Sequence, residues 1–169
     1  MVHRMAVVSP TLVVALAIVA VAPTAAAAGD DWGLNGTYIA TSNGDWAQTN
    51  DVYRNEATVR STWTITTTCT TPVECSGRVT SDLGWSADIG IHGSEYVLKR
   101  DIPNWEPCAD GVGRSGHQIY RFSPVDERGW LNFDSTVFSG QDKTLGDSGA
   151  CGINQALMIT MPFRLEKVA

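Results

Sequence analysis

The chain has 169 residues, and its 18 acidic residues outnumber the 12 basic ones, which gives a net charge of −6 with the histidines neutral. An acidic surface disfavours binding to nucleic acid or to anionic lipid, because both present negative phosphate groups. The length suits one domain with a single core.

The chain begins with the pattern of a secretory signal peptide. Arg4 supplies a basic start, residues 6–22 are mostly apolar, and small residues follow up to Ala28. A retained membrane anchor is the alternative, but an anchor is normally longer and flanked differently. We therefore predict a signal peptide over residues 1–28 and a secreted domain over residues 29–169, with no stable membrane anchor after cleavage.

The rest of the chain predicts an all-β domain. It has no helical periodicity of useful length, whereas short runs of β-branched and aromatic residues alternate with Gly, Asn, Asp and Pro. The clearest strand carries Val59, Trp63 and Ile65 on one face, as a half-buried strand does. The predicted strands cover residues 37–42, 59–68, 78–81, 85–91, 96–101, 118–124, 130–138 and 157–168.

The connections between these strands favour antiparallel pairing. Gly93 in the tight connection HGSE suits a hairpin turn, and the segment VDERG is the predicted loop of a second hairpin. Two longer segments, residues 102–116 and 139–154, are predicted as loops. Seven or eight antiparallel strands fit a small closed barrel or a two-sheet sandwich, and both remain open at this point.

The cysteines are Cys69, Cys75, Cys108 and Cys151. An even number of cysteines in an exported chain predicts two disulfides, which brace the domain. The residues TTPVE between the first two cysteines can turn back on themselves. We therefore favour Cys69–Cys75 and Cys108–Cys151 among the three possible pairings. Zinc binding is the alternative, but the spacings do not match the paired motifs of zinc modules.

Two resemblances bear on the fold. The segment LNGTYIATSNGDW resembles the opening of calycin barrels, the lipocalin and avidin group, in which a Gly followed by an aromatic residue on the first strand plugs one end. Gly36 and Tyr38 carry this match, with Tyr in place of Trp. The segments NGDWAQTNDVY, STWTITTTC, ECSG, NWEPCADG and GACGINQALMITMPFRL are similar to a family of secreted mycobacterial proteins. That resemblance implies export and a shared fold, and it implies no activity.

One segment imitates a catalytic motif. Residues 146–149 read GDSG, like the nucleophile loop of chymotrypsin-like proteases, but Ala-Cys follows instead of Gly-Pro. His92 and His117 also lack the sequence around that family's base, and Gly, Asp and Ser are ordinary turn residues. We therefore predict no catalytic residue, no metal site and no cofactor. A serine hydrolase that uses Ser148 with either histidine is the alternative.

Aromatic residues near loops and strand ends are the candidate ligand contacts. The candidates are Trp46, Tyr53, Trp85 and Trp105. Exposed aromatic rings beside polar residues bind sugars or partner proteins, whereas buried rings cover small cores. We predict a secreted, non-catalytic monomer that binds a small ligand, or an extracellular protein or glycan, through these rings.

Overall fold

Eight antiparallel strands close into a barrel in the computed structural model, which describes residues 32–168. The predicted signal peptide lies outside the described residues. The described residues form ten strands, because a short hairpin, β2 and β3, adds to the eight of the barrel. The ten are β1 (Gly36–Ser42), β2 (Gln48–Thr49), β3 (Val52–Tyr53), β4 (Val59–Thr71), β5 (Glu74–Ser81), β6 (Ser86–His92), β7 (Glu95–Pro107), β8 (Gly113–Pro124), β9 (Val137–Gly146) and β10 (Met158–Lys167). No helix within residues 32–168 is long and apolar enough to cross a membrane.

The barrel runs in the order β1, β4, β5, β6, β7, β8, β9, β10, and it closes because β10 also pairs with β1. Each of these strands therefore has two neighbours, which removes the exposed edges of a sandwich. The small β2–β3 hairpin pairs with β10 through Thr49 and Ile159, beyond the end of β1. Pro162 lies on β10 between the residues that pair with β1 and those that pair with β2. Proline has no backbone N–H, so its position in this gap leaves no hydrogen-bond donor without a partner.

Aromatic side chains fill the barrel in two layers. Trp63 on β4 lies at mid height, with its ring centre 5.0 Å from that of Tyr120 and 5.3 Å from that of Phe163. We call these three rings the middle layer. Below them, the filled end of the barrel holds a second layer, made by Tyr38, Tyr96, Phe122 and Phe138. These side chains are all at least nine-tenths buried, so they form the core of the domain.

The first strand contributes Tyr38 to this second layer. Tyr38 is 2 % exposed, its ring packs edge-on against Phe138, and its hydroxyl donates to the carbonyl oxygen of Asn35. Burial raises the pKa of Tyr38 to about 12, with a further contribution from Tyr96. An aromatic residue near the start of β1 thus fills one end of the barrel.

Both predicted disulfides are present. The Cys69–Cys75 bond joins β4 to β5 at the filled end. The Cys108–Cys151 bond joins the β7–β8 connection to the segment between β9 and β10 at the opposite end, which we call the open end. The all-β, disulfide-braced barrel predicted from the sequence is therefore confirmed, and the sandwich is excluded.

The strand predicted over residues 130–138 is wrong. Residues 125–136 form a loop in which Asp126, Asn132 and Ser135 accept hydrogen bonds of 2.9 to 3.1 Å from nearby backbone N–H groups. Such local bonds compete with pairing between strands, and here they outweigh the aromatic content that suggested a strand. The other seven predicted strands coincide with strands of the structure.

The two segments predicted as long loops also contain strand residues. Residues 139–146 belong to β9, whose inward positions include Gly140, Asp142 and Thr144. Because these positions are polar or glycine, the segment lacks the alternation of apolar residues that predicts a strand. Residues 102–116 contain the end of β7 and the start of β8, which pair around a bulge. In both cases polar residues and glycines face the barrel interior instead of solvent.

The bond between Cys108 and Cys151 closes a longer segment than the bond between Cys69 and Cys75, with sequence separations of 43 and 6. If chain entropy dominates, the longer bond contributes about 4 kcal/mol to stability and the shorter one about 2 kcal/mol. We expect the double variant Cys108→Ser with Cys151→Ser to lose more free energy of unfolding, measured in urea, than the double variant Cys69→Ser with Cys75→Ser. Equal losses would contradict this entropic account.

Candidate functional site

A cavity of about 180 Å³ lies between the middle layer and the open end of the barrel. Tyr120 forms part of its floor. Its walls combine apolar side chains with two tryptophans, and these are Leu83, Ile102, Ile159, Met161, Trp85 and Trp105. A concave site with mostly apolar walls and a few polar groups is the usual form of a small-molecule site.

The floor carries a buried carboxylate. Asp142 on β9 is 4 % exposed, and its two oxygens accept hydrogen bonds from Ser42 Oγ at 2.6 Å and from Gln118 Nε2 at 2.7 Å. Burial raises the pKa of Asp142, while the hydrogen bonds from Ser42 and Gln118 and the charge of Arg100 oppose that rise. Burial, and then the charge of Asp142, also raise the pKa of Tyr120.

Arg100 on β7 continues this network towards the opening. Its Nε donates to Gln118 Oε1 at 2.6 Å, and its guanidinium carbon lies 4.3 Å from the ring centre of Trp85. Burial lowers the pKa of Arg100, and the nearby Tyr120 and Asp142 oppose that shift. The guanidinium remains charged because its pKa starts far above neutrality. Ser42, Asp142, Gln118 and Arg100 therefore form one polar chain across the cavity.

Trp85 forms one wall and is fixed from two sides. Its ring packs edge-on against Trp63 with 5.3 Å between centres, and Arg100 stacks on it. Its Nε1 is buried and has no hydrogen-bond acceptor among residues 32–168. A buried donor without a partner costs about 1 to 3 kcal/mol, so this indole N–H lowers the stability of the folded domain.

Trp105 forms the other aromatic wall, and the β7–β8 bulge places it. Register shifts between Ile102 and Glu106, which gives β7 extra residues at this point. On the facing strand, Gly116 makes room for the ring, since a Cβ atom there would lie 2.6 Å from Trp105 Cδ2. A glycine and a bulge therefore hold the indole over the cavity.

The four aromatic residues predicted as ligand contacts separate into two pairs. Trp85 and Trp105 line the cavity. Trp46 and Tyr53 lie outside its lining, on the 3-10 turn Gly44–Trp46 and the β2–β3 hairpin, and their rings meet edge-on at 6.5 Å. They are 63 % and 69 % exposed. Because the hairpin pairs with β10 next to Ile159, this pair lies at the open end, beyond the cavity wall.

The sequence prediction missed Arg100, Gln118 and Asp142. A signal for Gln118 was present, because it alternates with Tyr120 and Phe122 on the same face of β8. A polar residue in step with two aromatic residues points into the barrel. Arg100 carried the same signal, because it is in step with Tyr96 and Leu98 on β7. Asp142 lies among polar neighbours on β9, where alternation identifies no face.

The serine hydrolase alternative finds no support in the geometry. The hydroxyl of Ser148 donates to the carbonyl oxygen of Asn154 at 3.0 Å. Both ring nitrogens of His117 meet carboxylates instead, Nδ1 with Asp101 at 2.7 Å and Nε2 with Asp147 at 3.0 Å. Ser148 and His117 therefore do not form the pair of nucleophile and base that this chemistry needs. His92 ends β6 at the filled end of the barrel, whereas Ser148 follows β9 at the open end, so these two residues do not meet either. In the described part of the chain, no group of three or more His, Cys, Asp or Glu is arranged to hold a metal ion.

Comparison with known proteins identifies a structural neighbour. No known protein family matches the chain, and no curated protein matches it. Among solved structures, the barrel is similar to the monomer form of the M. tuberculosis PknI sensor domain, with a TM-score of 0.57 and 15 % sequence identity. The match covers 80 % of this chain and 88 % of that one. The two chains share a fold. The resemblances to calycins and to a secreted mycobacterial family stay predictions.

His117 generates a prediction about pH. Hydrogen bonds to Asp101, and then to Asp147, raise the pKa of this exposed histidine above its usual value of 6.5. Because the pKa is raised in the folded state, His117 contributes stability that is fully present below pH 6.5 and is lost as the pH rises through the raised pKa. NMR titration of the ring should show a midpoint above 6.5, and Asp101→Asn should lower it.

The control for this titration is Asp88→Asn, which removes a carboxylate that pairs with Arg78 elsewhere on the surface. That variant should leave the His117 midpoint unchanged. A midpoint at or below 6.5 in the unmodified protein would show that the two carboxylates do not hold the ring.

Proposed function

We propose that this chain is a secreted, non-catalytic binding domain that takes a small ligand into the cavity at the open end of its barrel. One observation carries the proposal. Two tryptophan walls, Trp85 and Trp105, face a cavity whose floor is a continuous polar network. Apolar walls supply affinity by burying ligand surface, and a few fixed polar groups supply orientation.

The energetics of the floor support this role. Taking a carboxylate out of water costs several kcal/mol, and Asp142 meets Arg100 only through Gln118 instead of pairing with it directly, so this network is poorly explained by stability alone. The unpartnered Nε1 of Trp85 adds a second cost at the same place. Local departures from stable packing concentrate at functional sites, and here they concentrate around one cavity.

The structural neighbour and the disulfides support the setting. The neighbour is described as a sensor domain, a role that agrees with the proposal, although 15 % identity carries over the fold alone. Two disulfides fit an extracellular or cell-envelope location, because thiols stay reduced in the cytosol. Export through the predicted signal peptide is part of the proposal.

A partner at the rim of the open end is the second candidate function. Trp46 and Tyr53 form an exposed aromatic pair there, and such rings are typical of surfaces that bind proteins or glycans. In this second candidate function, the β2–β3 hairpin contacts the partner and the cavity is not the binding site. Ala variants of Trp46 and Tyr53 separate the two, because the cavity proposal leaves ligand retention unchanged in both.

Native mass spectrometry of the protein purified from the organism that secretes it tests the cavity proposal. We expect a mass above that of the oxidised chain, and we expect the excess to disappear on denaturation. In the Trp105→Ala variant the ligand should be retained about tenfold less well, which corresponds to ~1.4 kcal/mol, because one aromatic wall is lost.

Trp130→Ala is the matched control for this experiment. Trp130 is 72 % exposed on the loop between β8 and β9, at the filled end of the barrel, so its loss should leave retention unchanged. Equal retention in the Trp105 and Trp130 variants would show that any bound molecule lies outside the cavity. A mass equal to that of the oxidised chain, with nothing released, would count against a carried ligand.

A further inference from the structure

We propose that the ligand of this cavity carries a carboxylate on a small ring or a similarly compact apolar body, and that Arg100 binds the carboxylate. The inference rests on the proposed function and adds the chemical class of the ligand. It follows from which hydrogen-bonding groups of the cavity the protein already uses, from where its two charges lie, and from its size.

The acceptors on the floor are already occupied. Each oxygen of Asp142 accepts a hydrogen bond from the protein, one from Ser42 and the other from Gln118. The Gln118 amide in turn accepts from Arg100 Nε. The buried carboxylate is therefore satisfied by the protein's own donors.

The N–H donors of Arg100 are less fully occupied than the oxygens of Asp142. A guanidinium has five N–H groups in a planar fork, and the bond from Nε to Gln118 uses one of them. The fork of Arg100 lies against Trp85 on the cavity wall. An arginine held flat by an aromatic ring suits two parallel hydrogen bonds to a carboxylate.

The positions of the charged groups of Arg100 and Asp142 also favour a ligand with a carboxylate. Arg100 and Asp142 are the charged side chains among those that line the cavity. Asp142 is 4 % exposed at the floor, whereas Arg100 is only partly buried and is more accessible from the opening. A ligand therefore meets the positive group first.

The size and walls of the cavity define the rest of the molecule. A cavity of about 150 Å³ lined by apolar side chains holds a benzene ring. The cavity here, at about 180 Å³, has room for one ring and a small substituent. Trp85 and Trp105 offer ring faces, which pack well against a flat body. A bulky or highly polar ligand fits neither the volume nor these walls.

Calorimetric titration with three probes of similar shape tests the inference. The probes are benzoate, benzyl alcohol and benzylammonium, titrated into the secreted protein at fixed ionic strength. We expect benzoate to bind at least tenfold more tightly than the other two. Arg100→Gln should lower the affinity for benzoate by tenfold or more, and Asp142→Asn should raise it, because the opposing negative charge is removed.

Arg128→Gln is the matched control, since it removes the same charge from an exposed position on the 125–136 loop, at the other end of the barrel. It should leave benzoate binding unchanged, which separates a local contact from the net charge of the domain. Thermal unfolding of each variant verifies that it is folded, and Asp142→Asn tests the proposal independently if Arg100→Gln does not fold.

The outcomes distinguish the two proposals. If benzyl alcohol or benzylammonium binds as tightly as benzoate, or if Arg100→Gln binds benzoate normally, the carboxylate class is wrong and the binding cavity stands. If none of the three probes binds in the millimolar range, the carboxylate class fails, and the native mass spectrum of the secreted protein then decides the proposed binding function separately.

Discussion

Trp63 lies at the centre of the barrel, in edge-on contact with Tyr120 on one side and stacked against Phe163 on another. An eight-stranded barrel encloses a space just wide enough for side chains to fill. Because these three rings span that space at mid height, the interior is divided in two. The filled end below them supplies the apolar burial that stabilises the domain, and the cavity above them is bounded by the same rings.

This division explains why a costly polar floor is tolerated. The hydrogen-bonded chain from Ser42 through Asp142 and Gln118 to Arg100 rests on the middle layer, so none of these polar groups interrupts the aromatic core beneath it. The Cys108–Cys151 bond constrains two connections at the open end, where packing is weakest. The apolar core and the proposed binding cavity therefore occupy opposite halves of one barrel, so the half with the cavity can depart from ideal packing while the other half stabilises the domain.

The sequence predicted the features that depend on alternation and on covalent pairing. The inward face of β4, the hairpin at Gly93 and both disulfides follow from residue spacing. The site was predicted only in part, through Trp85 and Trp105. Arg100 is in step with Tyr96 and Leu98 on β7, so alternation indicates its inward face, and that signal was missed. Asp142 lies on a mostly polar strand, where the face is identified only after closure of the barrel fixes which side is inside.

The most direct test of this account is a high-resolution crystal structure of the protein purified from its native organism. The account predicts continuous density for a compact molecule between Trp85 and Trp105, with a planar group against the guanidinium of Arg100. A structure in which Trp105 packs down onto Tyr120 and closes the cavity would contradict it, because the barrel would then be a filled scaffold without a binding site.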